Sequence, residues 1–541
     1  MPEPRGARRT VVIAPPPTPN GDLHVGHLAG PYLACDVYAR YLRAVGRDVL
    51  YATGTDDSQT YVVATARRRG TTPQALAERS WTEIRDTLAA TGMAVDGFAP
   101  FDDGYRRTVL DFVEALHEAG RFELRTVRFP YAERTGEYLM EGLVAGECPV
   151  CLAESRGGLC EGCGHPNNFD ELIDPRSTVD PDEVLTTREA TVLVLPMERY
   201  RDELTAYYRS SAVHLRPHTR QLVREALARP LPDFPITYPT PWGIPAPFAE
   251  TPGQTVNAWV EGMPASMYCT AHAARESGEE PGGNDELWKT AHDVELVYFL
   301  GFDNVYFWGM THLALLMAHG DRYIRPAAIV SNEFYELEHE KFSTSKGHVV
   351  WGRDLAAEVP RDLMRFYLAL TAPEHQRTNF GRAALDKITA ERLTGPWNDL
   401  AGRITKALAD LGATGAEGAR LPVSAEARRR AAAMVERFSH SYELAGFSLA
   451  RAADLIVEHL GRLRGRSLAL ETTPAEQLPA RLGDLLLESR TLVAAAAPIL
   501  ADLAAATLRD GVDGRLHAEA VDVAEIAPFP LPPLGNAPGL G

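Results

Sequence analysis

The chain of 541 residues is 45% hydrophobic, so it can bury several cores, and we expect three or four structural units. Its 73 acidic and 55 basic residues give a formal net charge of −18, which argues against a broad nucleic-acid surface but leaves a local patch open. The sequence shows no signal peptide and no run of about 18 uncharged apolar residues, so we expect a cytoplasmic protein without a membrane or DNA partner.

Residues 9–57 predict the opening of a parallel α/β sheet. Residues 9–14 form a β-branched run that ends at three prolines, which is typical of a buried strand feeding a rigid loop. A helix is expected near Leu28, and a second strand over Asp48 to Ala52. Ligands of such sheets bind at the carboxyl ends of the strands, so functional residues are expected in the loops that follow them.

The middle of the chain interrupts this pattern, and the end is helical. Residues 121–235 contain a Cys cluster and acidic loops, and indicate a domain inserted between two halves of the sheet. Strand candidates at 296–300 and 327–330 flank a helix of Met310 to Met317. From about 385 onward, Ala, Leu and Arg recur at helical spacing, which predicts a helical bundle.

Four of the six cysteines form two Cys-x2-Cys pairs. They are Cys148, Cys151, Cys160 and Cys163. Four thiolates at this spacing are typical of a closed, tetrahedral and structural Zn²⁺ site. A metal knuckle suits a reducing compartment better than a disulfide framework does, and four unliganded thiols are the remaining alternative.

Two short segments predict a site for a nucleoside triphosphate. His24-Val25-Gly26-His27 opens the first helix, where helix-end N–H groups and two imidazoles can converge on phosphate oxygens. The basic loop of residues 341–347, Lys-Phe-Ser-Thr-Ser-Lys-Gly, can neutralise the charge that develops on pyrophosphate. Surface histidines and a solvated loop are the plain alternatives. The order of the two segments in two halves of one sheet favours the functional interpretation.

The chain resembles the class I aminoacyl-tRNA synthetases, and within them the methionyl-tRNA synthetase family. The two segments are similar to the HIGH and KMSKS motifs of that family, and further matches follow in order over roughly residues 10–410. They are Ala14 to Pro17 with Asn20-Gly21, Gly54-Thr55-Asp56, the Cys knuckle with residues 171–175, Trp242 to Pro245, Gly301-Phe302-Asp303, and residues 331–334 and 362–367. The resemblance implies a ligase that uses ATP and Mg²⁺ to form an aminoacyl adenylate.

The resemblance also implies a role for each matching residue. The catalytic set is His24, His27, Lys341, Ser343, Ser345 and Lys346. ATP is expected to contact Gly26, Gly301, Asp303, Lys341 and Thr344, the last standing where Lys is common in the family. The amino acid is expected to contact Ala14, Pro15, Pro17, Asp56, Trp259, Asn304 and Trp308, with Asp56 pairing with its amino group.

The implied fold class is α/β: a Rossmann-type parallel-sheet catalytic domain with an inserted zinc-knuckle domain and a C-terminal α-helical bundle. We expect residues 1–120 and 236–350 to form the two halves of the catalytic domain. Residues 121–235 would be the inserted domain, with its knuckle at 148–163. Residues 351–385 would be a linker resembling the stem-contact fold, 386–526 a domain resembling the anticodon-binding bundle, and 527–541 a flexible Pro-rich tail.

Several departures from the family fall on the amino-acid pocket. Pro17 stands where an aromatic residue is usual, Asn304 where an apolar residue is usual, and Trp308 where His is usual. A thioether needs a dry apolar pocket, whereas a buried Asn needs hydrogen-bond partners, so these changes indicate an amino acid other than methionine. The alternative is that Asn304 bonds local backbone. The segment Ile236-Thr237-Tyr238-Pro239 also lacks the Ser-Arg typical of relatives, which removes one positive charge near the site.

A further departure lies in the helical part. Asp399 stands where an Asn normally reads an anticodon base, although Arg403 is retained, and no Trp follows Trp397 to stack on a base. The basic run Arg462, Arg464 and Arg466 can reach phosphate or can form a solvated helix face.

These departures favour one of two functions. The first is a paralogue from secondary metabolism that activates an amino acid and passes the acyl group to a small nucleophile, such as an amine or hydroxylamine, without tRNA. The alternative is a methionine-tRNA ligase that charges tRNA(Met), so tRNA stays open as a partner. A catalytically inactive binding subunit is disfavoured because both histidines and most of the basic loop are present. The oligomeric state is not predicted.

Overall fold

The structure is a computed structural model, and it describes residues 9–210, 213–342, 347–412, 419–508 and 516–535. The chain divides into two compact units, each built from separate stretches of sequence. Unit 1 comprises Met1–Leu23, Val49–Leu88 and Ala94–Glu333. Unit 2 comprises His24–Asp48, Ala89–Met93 and Phe334–Gly541.

A parallel sheet of six strands lies at the centre of unit 1. The strands are β1 Arg9–Ile13, β2 Val49–Thr53, β3 Gly97–Phe98, β4 His214–Leu215, β5 Val294–Gly301 and β6 Ala328–Asn332. Their spatial order is β4-β6-β5-β1-β2-β3, and each neighbouring pair is parallel. The register places Val11 opposite both Leu296 and Leu50. Because β1 and β5 are buried along almost their whole length, their sequences are nearly continuous apolar runs.

The α-helices of unit 1 begin at residues suited to a helix start. Asp102 and Asn257 accept hydrogen bonds from the first turns of the helices that follow them, at Tyr105 and Trp259. The second of these helices packs against β2 and β3 and carries Trp259. The helices are Thr60–Arg69, Pro73–Ala90, Asp103–Glu118, Arg201–Arg209, Pro217–Leu227, Ala258–Glu276 and His312–Ala318, the last preceded by a π-helical turn at Phe307–Thr311.

Between β3 and β5 the chain forms antiparallel sheets. One sheet has the order Phe234–Pro235, Leu185–Leu195, Glu123–Ala132, Glu137–Tyr138. Another has the order Ile173–Ser177, Val144–Glu147, Glu154–Ser155. Two-stranded pairs join Gly158–Leu159 to Pro166–Asn167 and Thr237–Tyr238 to Thr255–Val256. The Cys cluster lies among these strands, as the predicted insertion requires.

Unit 2 is mainly helical. Its helices are Val25–His27, Leu28–Tyr32, Leu33–Ala44, Gly352–Glu358, Arg361–Leu370, Arg382–Thr389, Ala390–Thr394, Gly395–Asp410, Ala425–Tyr442, Leu449–Ser467, Leu478–Ala496 and Ala501–Thr507. Ser424 and Ser448 cap two of the long helices. A three-stranded sheet has the order Glu340–Lys341, Tyr335–Leu337, Thr378–Phe380, and Leu421–Pro422 pairs with Glu525–Ile526.

The architecture confirms the predicted fold class, a parallel α/β sheet with an insertion and a helical C-terminal part. The predicted strands lie within two residues of the observed ones, since β-branched and aromatic runs mark buried parallel strands clearly. In the described ranges, no helix is long and apolar enough to cross a membrane. The six proposed domain boundaries and the cytoplasmic location stay predictions.

Candidate functional site

In unit 2 the two histidines of the first motif form a stacked pair at a helix start. The His24 side chain caps the Val25–His27 turn by accepting from the Gly26 N–H at 3.1 Å, and His27 Nδ1 accepts from the His24 N–H at 3.2 Å. The rings lie 3.7 Å apart between centroids. A Cβ on Gly26 would lie 2.9 Å from the His24 ring, so the motif needs glycine there. Both Nδ1 atoms therefore accept a backbone hydrogen bond, which leaves the proton on each Nε2.

Both histidines are held neutral. Desolvation by the surrounding protein lowers the pKa of His27 to about 4, although the residue as a whole is exposed. Burial, followed by the charges of His27 and Lys341, lowers the pKa of His24. Two neutral Nε2–H donors beside a helix start can donate to phosphate oxygens without themselves carrying a positive charge.

The basic loop begins beside these histidines. The Phe342 ring stacks on His24 with centroids 4.5 Å apart and planes 6° from parallel. Lys341 Nζ lies 5.5 Å from the centre of the Phe334 ring. The Val25 N–H donates to Val350 O at 3.0 Å, which ties the residues after the loop to the same turn. The predicted residues Ser343, Thr344, Ser345 and Lys346 lie outside the described part of the chain.

Unit 1 holds Gly301 and Asp303, two of the residues predicted to contact ATP. Gly301 ends β5, and a Cβ there would lie 2.4 Å from Asp303 Oδ1 and 3.8 Å from Asn304 Nδ2. The carboxylate of Asp303 therefore packs directly over the end of the strand, which only glycine permits. This is the position where ligands of parallel α/β sheets bind.

The residues predicted for the amino acid fall around the carboxyl ends of β1 and β2. Ala14 O accepts from Thr53 Oγ1 at 3.1 Å, and the Asp56 N–H donates to Pro17 O at 3.1 Å, so the two loops are joined. Pro15 lies between these two bonds and is partly buried. Asp56 is 9% exposed, and burial followed by the charge of Glu261 raises its pKa.

Trp259 and Trp308 lie in an aromatic group of unit 1. Trp259 stacks on Phe307 with centroids 3.8 Å apart, and its carbonyl accepts from His312 Nε2 at 2.5 Å. Trp308 is buried and packs edge-on against Tyr298, with its centroid 4.7 Å from that of His312. Trp308 thus contributes apolar surface, and the histidine beside it is His312, four residues later in the chain. Burial lowers the pKa of His312 to about 4, so this imidazole is neutral.

Sequence reasoning missed three buried polar residues of this region. Glu261 is fully buried and accepts from Tyr105 Oη at 2.8 Å. Burial raises the pKa of Glu261 to about 7 and that of Glu141, in the inserted part, to about 8. Gln59 donates from Nε2 to Asp56 at 2.7 Å. The available signal was an acidic residue two positions after Trp259, since acidic residues are rarely buried without a partner.

The four knuckle cysteines converge as predicted. Cys148 Sγ lies 3.9 Å from Cys163 Sγ, Cys151 Sγ lies 3.5 Å from Cys160 Sγ, and all four lie within 4.8 Å of one another. A tetrahedral zinc ion with Zn–S bonds of about 2.3 Å needs sulfurs about 3.8 Å apart. Burial raises the pKa of Cys163 to about 11, so a cation is needed to hold it as a thiolate. The cluster therefore fits structural zinc.

We expect the purified protein to carry one zinc ion per chain, measured by elemental mass spectrometry. Cys160→Ser should lose most of this metal, because it removes a fully buried ligand of a closed site. Cys269→Ser removes a buried thiol that lies outside the cluster and should retain the metal. Equal zinc content in both variants would show that the cluster is not the metal site.

In the helical part of unit 2, the basic residues predicted to reach RNA are paired with acids. Asp399 accepts from Arg464 Nε at 2.7 Å and from Arg403 Nε at 3.0 Å, and these two arginines lower its pKa. Arg462 and Arg466 pair with Glu458 and Glu488. Asp399 thus joins the helix Gly395–Asp410 to the helix Leu449–Ser467 through ion pairs.

Comparison with known proteins agrees with this architecture. The family model described as tRNA synthetases class I (M) matches residues 10–405. The methionine–tRNA ligase of Porphyromonas gingivalis is 31% identical over 380 residues, which are 70% of this chain and 55% of that protein. The methionine–tRNA ligase of Roseiflexus sp. is 31% identical over 397 residues, covering 72% of this chain and 67% of that protein. This chain thus spans about half the length of the first of these relatives.

Solved structures show the same fold. The Mycobacterium tuberculosis methionyl-tRNA synthetase in complex with methionyl-adenylate has a TM-score of 0.74 at 21% identity, covering 98% of this chain and 100% of that one. The free form of that enzyme has a TM-score of 0.67 at 19% identity and covers 99% of this chain and 98% of its own. At these identities the likeness establishes the fold.

Proposed function

Because the chain belongs to the class I tRNA synthetases of the methionyl (M) family, a family of ligases, we propose that it activates an amino acid with ATP as an aminoacyl adenylate. The observation that carries this proposal is the stacked pair His24 and His27. Two neutral Nε2–H donors at a helix start, beside Lys341, suit the charge that develops on phosphate as a carboxylate attacks the α-phosphorus. Bound Mg²⁺ would supply further neutralisation of the triphosphate.

The second step, in this proposal, is transfer of the acyl group to the terminal ribose of a tRNA. The relatives named methionine–tRNA ligase favour this acceptor over the small nucleophile that the sequence first suggested. They also make methionine the first amino acid to test. The relatives described above do not support the predicted role in secondary metabolism, and we do not adopt it.

One observation keeps transfer to a small nucleophile as a second candidate. Arg403, Arg462, Arg464 and Arg466 of the helical part each pair with a carboxylate within unit 2. Paired arginines contribute less to binding phosphate than free ones, because each must first give up its partner. Pairing of this kind is compatible with a helical domain that no longer reads an anticodon.

Amino-acid-dependent exchange of pyrophosphate into ATP tests the first step, across the proteinogenic amino acids and a set of hydroxylated or ω-amino analogues. We expect exchange with at least one amino acid, and no exchange with any of them would contradict the proposed activation. Addition of tRNA(Met) and recovery of acid-precipitable aminoacyl-tRNA then tests the second step. Exchange without any charging of tRNA would instead favour a small nucleophile as the acceptor of the acyl group.

A further inference from the structure

The helix Pro217–Leu227 of unit 1 presents a basic face to solvent. Pro217 begins the helix, where its missing N–H costs nothing. The buried side chains recur at the spacing of one helical face and are Thr219, Leu222, Val223 and Ala226. Arg220 and Arg224 lie one turn apart on another face and are exposed. The buried face fixes the helix, so the Cβ atoms of the two arginines are held about 6 Å apart.

The two arginines line one open cavity. Its volume is about 520 Å³, and Leu215, Pro217 and Gln221 complete the lining among the described residues. These five residues include no acid and no aromatic ring, so the cavity attracts anions but offers no surface on which a base can stack. A guanidinium group binds phosphate oxygens through parallel N–H donors, and the lining therefore suits phosphate groups.

The protein itself does not neutralise this pair. Within the described ranges, neither the Arg220 nor the Arg224 side chain makes an ion pair or a hydrogen bond. Glu225, the neighbouring acid on the helix, has other partners: it accepts from Gln221 Nε2 at 2.9 Å and lies 3.4 Å from His165 Nε2. Both positive charges are thus available to a ligand without the loss of an internal partner.

The start of the same helix is anchored at the carboxyl ends of β5 and β6. Arg216 Nη1 donates to the carbonyl of Ser331, near the end of β6, at 2.6 Å. The His218 ring stacks on Phe302, directly after β5, with centroids 3.8 Å apart. Phe302 stands between the two residues of this loop that are predicted to contact ATP. The helix therefore begins at the sheet edge where ligands of parallel α/β sheets bind.

The Cys knuckle borders this helix as well. A Cβ on Gly164, next to Cys163, would lie 3.0 Å from Leu222 Cδ2 and 3.0 Å from Phe302 Cε1. The φ of Gly164 is +74°, so both its conformation and its close contacts require glycine. The two arginines therefore extend from a helix that the knuckle and the sheet edge hold in place.

We propose that Arg220 and Arg224 form a contact surface for the phosphate backbone of RNA, which brings the acceptor end of a tRNA to this sheet edge. The inference deepens the proposed transfer to tRNA and rests on it. With a net charge of −18 the protein repels a polyanion over most of its surface, so RNA needs a local basic contact. In the helical part, Arg403 and Arg464 are paired with Asp399, whereas this pair is not neutralised.

Binding of an RNA minihelix tests this surface on the full chain. The minihelix carries the acceptor stem and 3′ overhang of tRNA(Met) without an anticodon arm, so anticodon reading does not contribute. Fluorescence anisotropy gives its Kd between about 50 mM and 200 mM salt. Arg220→Gln combined with Arg224→Gln should weaken binding by about tenfold and lower the slope of log Kd against log salt by about 1.5, since each phosphate contact contributes about 0.7–0.9.

Arg107→Gln is the matched control, because it removes one exposed arginine at the other side of the sheet. Arg107 lies on the helix that follows β3, and β3 and β4 are the two edge strands. This variant should bind the minihelix with the affinity and salt slope of the parent. Arg220→Lys combined with Arg224→Lys keeps both charges and should retain most of the slope, which separates charge from any change in folding.

The binding measurement needs neither ATP nor an amino acid, so it does not depend on the proposed activation. A slope that falls in the double Gln variant but not in Arg107→Gln would support the surface even if no exchange occurred. A minihelix that binds in this way while tRNA(Met) is not charged would reject the transfer and keep the surface. Undetectable binding by the parent, equal binding by the double Gln variant, or an equal loss in Arg107→Gln would overturn the inference and leave amino-acid activation standing.

Discussion

His27→Ala is expected to lower the rate of pyrophosphate exchange by about 10²–10³-fold, the usual effect of removing one donor that stabilises charge in a transition state. The donor is Nε2–H, because Nδ1 already accepts from the His24 N–H. Since the pKa of His27 is lowered to about 4, the ring donates as a neutral group. The loss should appear in kcat more than in KM, as expected for an interaction that strengthens in the transition state.

The stability of His27→Ala shows whether a slower exchange reflects lost catalysis or a less stable fold. Loss of the His27 contact removes one helix-start hydrogen bond, which costs about 1 kcal/mol. His375→Ala removes an exposed histidine of the same unit and should leave both exchange and stability unchanged. A His27→Ala protein that exchanges within about threefold of the parent would remove His27 from the catalytic set.

The fold could be predicted because its signals are local. The Val-Val-Ile run of β1 and the apolar β5 are each continuous in sequence, and their burial on both faces explains why they lack alternation. Motif order then placed His24 and the basic loop in one functional group, and the structure finds Phe342 of that loop stacked on His24. Cys spacing predicted the knuckle for a similar reason, since the pairs are close along the chain.

Long-range pairing could not be predicted. Glu261 meets Tyr105 across 156 positions, and nothing near either residue in sequence indicates the contact. The sequence indicates only that Asp399 replaces an Asn that reads an anticodon base, whereas in the folded chain Asp399 joins Arg403 and Arg464. The Glu261–Tyr105 and Asp399–Arg464 contacts both depend on the packing of distant elements, and sequence periodicity carries no information about such pairs.

The 362–367 segment, part of the family resemblance, has a structural role that its sequence did not reveal. Asp362 accepts from the N–H groups of Asp502 and Leu503, at the start of the Ala501–Thr507 helix. Arg365 is fully buried and donates to Asp36 at 2.5 Å and to the carbonyls of Pro498 and Ile499 at 2.7 and 2.9 Å. Both residues of this motif therefore hold separate parts of unit 2 together.

Arg365→Met is accordingly expected to lower the free energy of unfolding of unit 2 by about 3–5 kcal/mol, because it leaves two buried carbonyls without this donor and removes one of the arginines that pair with the buried Asp36 carboxylate. Arg361→Met, on the same helix, breaks an ion pair with Asp502 whose side chains are 38% and 48% exposed, and should cost at most about 1 kcal/mol. Urea unfolding of both variants measures the difference. Equal stability of the two variants would mean that Arg40, which also donates to Asp36 at 2.9 Å, is sufficient to hold that carboxylate.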